Sequence, residues 1–238
     1  MTRSQWCQNE WTTRAALKLN PSQRSIVPVM QTDFSPDNEK WTCRQTKSLL
    51  ESDLRKNQLL ALKWAFIEDS MLYELTVPAS IKGLRNLSHI LEKAAAFADS
   101  KKTPMEVLLN SRLAVDQFAL TRQIQIACDT AKLGATRLSG QTAPTNDDSE
   151  KTLAEIQTRI HSTISFLETL NKDQFKGAET KHITQPRWEG KYLTGEEYAL
   201  QHVLPNLYFH ITTAYAILRN CGADVGKNDY LGQLPYKH

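Results

Sequence analysis

Apolar residues recur every three to four positions over four long stretches of the chain, and that period predicts four helices. The first opens at Thr76 as N-cap with Pro78 just inside, where a missing N–H costs nothing. Ile81, Leu84, Leu87, Ile90, Leu91 and Ala94 carry its apolar stripe to about Asp99, and Pro104 starts a short turn through Leu109. A second helix spans about Asp116 to Leu138, with apolar content from Phe118, Leu120, Ile124, Ile126, Ala127 and Leu133 and a stop at Gly140. Gln141–Asp148, rich in Pro, Asn and Asp, reads as a loop. A third helix starts near Ser149 and carries Leu153, Ile156, Ile160, Ile164, Phe166, Leu167 and Leu170.

After Asn171 the period changes. Thr180–Pro186 and Lys191–Thr194 are β-compatible and flank Arg187-Trp188-Glu189-Gly190, which predicts a small hairpin. Thr194 followed three residues later by Glu197 is a capping box. It opens a fourth helix through Tyr198, Leu200, Val203, Leu207, Ile211, Ala214, Ile217 and Leu218 to Gly222. Pro205 lies inside that helix and predicts a kink that frees the carbonyl of Gln201. The expected fold is an all-α, up-and-down four-helix bundle with a small β-hairpin between helices three and four.

Composition sets the boundary of this domain. Four of the five tryptophans precede residue 69, all seven tyrosines follow it, and no glycine occurs before Gly83. Residues 1–45 show neither a helical nor an alternating period, so residues 1–68 read as a peripheral, largely disordered extension. Within it, residues 46–66 form an untidy amphipathic pattern that predicts a helix. Arg3, Arg14, Lys18 and Arg24 against a single Glu10 give the extreme N-terminus the acid-poor makeup of a mitochondrial transit peptide. Its apolar face is poor, and a peripheral extension is the preferred reading. Residues 69–238 are the expected bundle domain.

Charge narrows the function classes. The net +3 resides in residues 1–68, with 10 basic against 7 acidic side chains, which leaves residues 69–238 balanced at 19 of each sign. No Lys/Arg run appears, so no nucleic-acid partner is expected. No apolar run reaches the ~18–20 residues of a membrane-spanning helix, so no membrane partner is expected either. Cys7, Cys43, Cys128 and Cys221 have no paired spacing, which fits reduced thiols and a cytoplasmic location. Cys128 stands beside Asp129, whose carboxylate should raise the thiol pKa and disfavour a nucleophilic role. Phosphate-binding, dinucleotide and serine-nucleophile motifs do not occur.

Candidate chemistry lies on helices two and four. His202, Asn206 and His210 are at i, i+4 and i+8 and drift only ~80° around a helix. Gln125 and Asp129 are likewise four apart among apolar neighbours. Three readings stand side by side. One is an interior hydrogen-bond network joining Asp129 to a histidine and Gln125 to Asn206. A second is a divalent-metal site from His202, His210 and Asp129, with ligand types that suit zinc, nickel or iron. The third is a metal-free pocket for a small-molecule ligand. There His210 is the general acid or base, Asp129 steers it, Tyr208 or Tyr198 donates a hydrogen bond, and Gln125, Asn206 and His202 bind.

Several separate motifs carry a resemblance. The runs Leu72-Tyr73-Glu74-Leu75-Thr76-Val77-Pro78 and Gly83-Leu84-Arg85-Asn86-Leu87 resemble the opening of an uncharacterised family of DinB/YfiT-like four-helix-bundle proteins. Arg122 through Asp129, Leu204-Pro205-Asn206-Leu207-Tyr208-Phe209-His210, Thr213 through Arg219 and Gly226 through Gly232 resemble that family in order, over about residues 71–232. The resemblance implies a fold more than an activity. In better-understood relatives a divalent metal is held by histidines, one on the second helix and two on the last, and many relatives form homodimers. His210 falls where one last-helix histidine lies, whereas Asn206 replaces the other and the second helix has Asp129 but no histidine. Two function classes follow: a small-molecule enzyme in a tailoring step of secondary metabolism or thiol-dependent detoxification, or a non-catalytic dimeric binding protein whose polar cluster is structural.

Overall fold

The computed structural model describes residues 43–237, with side chains from residue 71 onward. The expectation of disorder over residues 1–45 falls, up to residue 42, outside the described residues. The chain divides into two units, Met1–Ser52 and Asp53–His238, and the bundle described below belongs to the second. The elements in order are α1 (Cys43–Ser100), α2 (Met105–Leu109), α3 (Leu120–Ser139), α4 (Leu153–Glu168), β1 (His182–Thr184), β2 (Tyr192–Thr194), α5 (Gly195–Tyr198), α6 (Leu204–Asn220) and α7 (Lys227–Leu231). Among the described residues no helix is long and apolar enough to cross a membrane.

The apolar stripes meet in one core. Leu84, Leu87, Ile90, Leu91 and Ala94 of α1, Ile124 and Ala127 of α3, Ile156, Ile160 and Leu167 of α4, and Leu207, Ala214, Ile217 and Leu218 of α6 are all fully buried. Each Leu or Ile taken from water contributes roughly 1.5–3 kcal/mol, which makes this core the main stabilising term. Around it the helices close a ring. Ser88 of α1 donates to Gln157 of α4 at 2.6 Å, and α4 packs on α3, which packs on α6. A Cβ on Gly83 of α1 would lie 2.9 Å from Ile211 of α6.

Helix directions differ from simple alternation. Gln123 and Thr130 of α3 meet His210 and Asn206 of α6 in reverse order, so those helices are antiparallel. Arg159 of α4 reaches the carbonyl of Gln125, and Thr163 bonds the thiol of Cys128, so α3 and α4 run the same way. A parallel pair needs a connection that returns the length of a 20-residue helix, about 30 Å. The loop from Gly140 to Thr152 can span it, since extended chain covers ~3.3 Å per residue.

Several helix boundaries also differ from the periodicity. Thr76 is not an N-cap: α1 runs through it from Cys43 with Pro78 inside, and the Thr76 hydroxyl donates to the Leu72 carbonyl at 2.5 Å. Burial of Leu72 and Val77 in the core offsets the bond that Pro78 cannot make. α3 starts at Leu120, because Ala119 is extended, and Phe118 is left exposed. α4 starts at Leu153, where Thr152 and Glu155 form a capping box. The hairpin is present with Ile183 opposite Leu193, and Thr194 and Glu197 cap α5 reciprocally. The distortion expected at Pro205 takes the form of a π turn over Ala199–Val203, where the Leu204 N–H reaches the carbonyl of Ala199. The chain end docks on α1 through Asn86, which donates to the Tyr230 carbonyl at 2.9 Å, and through the Lys93–Asp229 ion pair at 3.0 Å.

Candidate functional site

His210 projects from α6 against the start of α3 and is 7% exposed. Its Nδ1 lies 2.7 Å from Oε1 of buried Gln123. The orientation of that amide follows from its other end, where Gln123 Nε2 donates to the carbonyl of Phe118 at 3.1 Å. Oε1 therefore faces the imidazole, Nδ1 must donate to it, and the proton-free nitrogen is Nε2. Burial, followed by the nearby charge of Arg122, holds His210 below the ordinary histidine range. At neutral pH it is a neutral imidazole with a defined tautomer. The ring of Phe209 stands edge-on to it at 5.2 Å.

The other candidate residues occupy separate levels of the bundle. Asn206 donates to Thr130 Oγ1 at 2.7 Å. Tyr208 is partly exposed, and burial of its remainder followed by the neighbouring Tyr230 pushes its hydroxyl above the ordinary tyrosine range. His202 stacks on Tyr198 at 5.2 Å and accepts a hydrogen bond from Arg187 at 2.9 Å. Asp129 is engaged by Arg159 at 2.9 Å and Lys132 at 3.4 Å. Gln125 accepts from Arg122 and donates to Glu150 at 2.8 Å.

These placements correct three expectations. Asp129 does not steer His210: the histidine lies opposite Gln123, six residues or ~9 Å of helix rise from Asp129. Gln125 pairs with Glu150 and not with Asn206. The metal set of His202, His210 and Asp129 does not assemble either. Among the described residues no three His, Cys, Asp or Glu side chains converge on one point. Eight residues of helix separate the two histidines by ~12 Å, the π turn does not close that gap, and Asp129 is committed to cations. The residues present do not fit the metal that the resemblance implies.

The periodicity held signals for what was missed. Gln123 sits between Leu120, Ile124 and Ala127 on the core face of α3, and Arg159 sits between Ile156, Ile160 and Thr163 on that of α4. Polar side chains at such positions need partners. Arg159, with a side chain only 1% exposed, is surrounded by Asp129, Asp148 at 2.7 Å and Glu150 at 2.8 Å. Arg122 bonds Asp148 as well, at 2.5 Å. Three cations (Arg122, Lys132, Arg159) thus balance three carboxylates where the loop before α4 meets α3.

Cys128 adjoins this cluster. Its thiol is pushed up to about 12, chiefly by burial, with Arg159 and the Thr163 hydrogen bond opposing and Asp129 a smaller contribution. The direction matches the sequence reading, but the main cause is burial and not the adjacent carboxylate. Cys128 should resist iodoacetamide in the folded protein at mildly alkaline pH and be alkylated only after denaturation, whereas the partly exposed Cys221 reacts in both states. Peptide mass spectrometry reads the difference, and native alkylation of Cys128 would contradict the assignment.

A bundle with parallel α3 and α4, a hairpin before α5 and α6 and a histidine of α6 set against α3 is a DinB-like helix-bundle protein. The chain belongs to the family described as Domain of unknown function (DUF1993), whose model matches residues 72–231. It is also similar to the solved structure of a DinB family member protein from Shewanella denitrificans. That chain is 60% identical, with 72% of this chain and 98% of that chain covered and a TM-score of 0.71. Comparison with curated proteins gives no match.

Proposed function

We propose that this chain binds a small molecule at the α3–α6 end of the bundle and that His210 is the proton acceptor there. The observation that carries the reading is the relay from the Phe118 carbonyl through Gln123 to Nδ1, which leaves the Nε2 lone pair unused by any described partner. An imidazole so oriented, neutral at working pH, suits a general base. Gln123 takes the orienting part that was expected of Asp129. Tyr208, two positions from His210, does not share its face of α6 and neighbours Tyr230 instead. A second reading, in which the polar pairs only fix helix register, is favoured by the two bridges Gln123–His210 and Thr130–Asn206 between α3 and α6.

The test separates the two readings. Nitrogen NMR of the imidazole should show Nδ1 protonated and Nε2 bare at neutral pH, with titration below 6.5. Because the folded value is depressed, His210 contributes stability that is present above the unfolded value and lost as pH falls through the folded one. His210→Ala should cost about 1–2 kcal/mol and abolish thermal-shift responses to a panel of small carbonyl compounds and low-molecular-weight thiols. Responses that persist unchanged in the variant, with stability lowered, would sink the proton-acceptor role and favour the register reading.

A further inference from the structure

A second cluster of polar side chains lies at the π turn leading into α6, about 12 Å along the helix from His210. Arg187 is carried by the turn Pro186–Trp188 that joins β1 to β2, and it donates to His202 Nε2 at 2.9 Å. Arg137, in the last turn of α3, donates to the Tyr198 hydroxyl at 2.8 Å, with its guanidinium 5.9 Å from that ring's centre. Tyr198 and His202 are stacked, and Trp188 stands edge-on to both at 6.0 and 5.6 Å. The three rings form a wall flanked by two cations.

Among the described residues the cluster is rich in donors and lacks an anion. A guanidinium has five N–H donors, and each arginine uses one on these neutral partners. Neither has a carboxylate partner among the described residues, in contrast to Arg85, Arg122 and Arg159, which all have one. His202 must accept at Nε2, because arginine only donates, so its proton is on Nδ1, which is buried without an acceptor. Gln185, which opens the turn, likewise buries an Nε2 donor without a partner. The charges of both arginines, after burial, depress the His202 pKa. Both cations therefore bear on one neutral ring. Cation–π attraction to Tyr198 accounts for the place of Arg137, but it does not explain why Arg187 is drawn to an imidazole.

We infer that Arg137 and Arg187, set against the Trp188–Tyr198–His202 wall, form a binding subsite for a carboxylate or phosphate group of a small-molecule ligand. Planar guanidinium forks match both oxyanions, and an anion between them would relieve their mutual repulsion. The subsite does not depend on the role of His210, so either reading can fail alone.

The experiment titrates the isotope-labelled full chain with inorganic phosphate and, separately, with acetate, at ionic strength held constant with sodium chloride. The Trp188 indole N–H and the His202 ring nitrogens are followed by NMR. A saturable shift with a millimolar or tighter dissociation constant is expected from at least one probe. Tighter phosphate points to a phosphorylated ligand and tighter acetate to a carboxylate, and both outcomes support the subsite. Arg187→Gln lies on an exposed turn and should fold normally by circular dichroism while weakening binding about tenfold or more. Arg219→Gln, on the exposed end of α6, should bind as the parent does. A linear response matched by sodium chloride, or equal affinity in Arg187→Gln, would overturn the subsite.

Discussion

Arg159→Ala should destabilise the bundle by about 3–5 kcal/mol, the usual cost of removing one partner from a buried ion cluster. Among the described residues its guanidinium is the sole contact shared by Asp129, Asp148 and Glu150. Truncation leaves those carboxylates facing one another with only Arg122 and Lys132 for compensation. The expected phenotype is broader than lost stability, because Asp148 and Glu150 belong to the loop that carries the chain back from the end of α3 to the start of α4. Without Arg159 that crossover loses its anchor, and hydrogen exchange over residues 141–152 should accelerate in parallel with the drop in urea midpoint. A loss below about 1 kcal/mol would mean that the cluster is solvated enough to be replaceable.

The same cluster gives a pH dependence with a definite sign. Burial alone would raise Asp148 and Glu150, but hydrogen bonds from Arg122 and Arg159 to the first, and from Arg159 and Gln125 to the second, hold both below the ordinary carboxylate range. A depressed folded value means stability that is complete above the unfolded value and lost as pH falls through the folded one. The parent should therefore show a steep acid limb below the ordinary carboxylate range, and Arg159→Ala should flatten it. An acid limb of the same slope in both proteins would assign the acid sensitivity elsewhere.

Gly195→Ala is the second substitution with a large expected effect. A β-carbon there would overlap the backbone carbonyl oxygen of Ala178 and press on Leu138. Neither backbone can rotate away as a side chain would, and the Glu196 N–H donates to the Glu179 carbonyl at 3.1 Å. The strand end, the capping box at Thr194 and the start of α5 would have to shift together. Overpacking of this kind costs ~1–3 kcal/mol or more. Gly226→Ala is the contrast: it has extended backbone and meets only Asp229 at 3.9 Å, so its change should stay within about 0.5 kcal/mol. Equal melting temperatures for the two variants would refute the close approach.

The apolar periods of α1, α4 and α6 and the capping box at Thr194 are local signals, governed by helix geometry and by hydrogen bonds three residues apart. They are therefore visible in one dimension. Thr76-x-Pro78 read as a helix start because the local rule favours it, yet burial of Leu72 and Val77 extends the helix through the proline. Phe118 counted toward α3 by hydrophobicity, but the chain is extended at Ala119 and leaves it exposed.

The candidate site divides along the same line. That His202, Asn206 and His210 share a helix was decided by spacing alone. So was the need of Gln125 and Asp129 for partners, since a buried polar group without one is costly. Which partners they take depends on helix direction and axial register, and neither is encoded in any single helix's period. The parallel run of α3 and α4 brings Arg159 to Asp129 and Glu150 to Gln125, and the antiparallel run of α6 sets His210 against Gln123 and Asn206 against Thr130. A change of one helical turn in register would shift each pairing by about 5.4 Å, beyond hydrogen-bond reach. The sequence by itself determined a helix bundle with polar residues inside it. Only the tertiary structure decided that Asp129 serves the crossover loop while His210 keeps a free nitrogen.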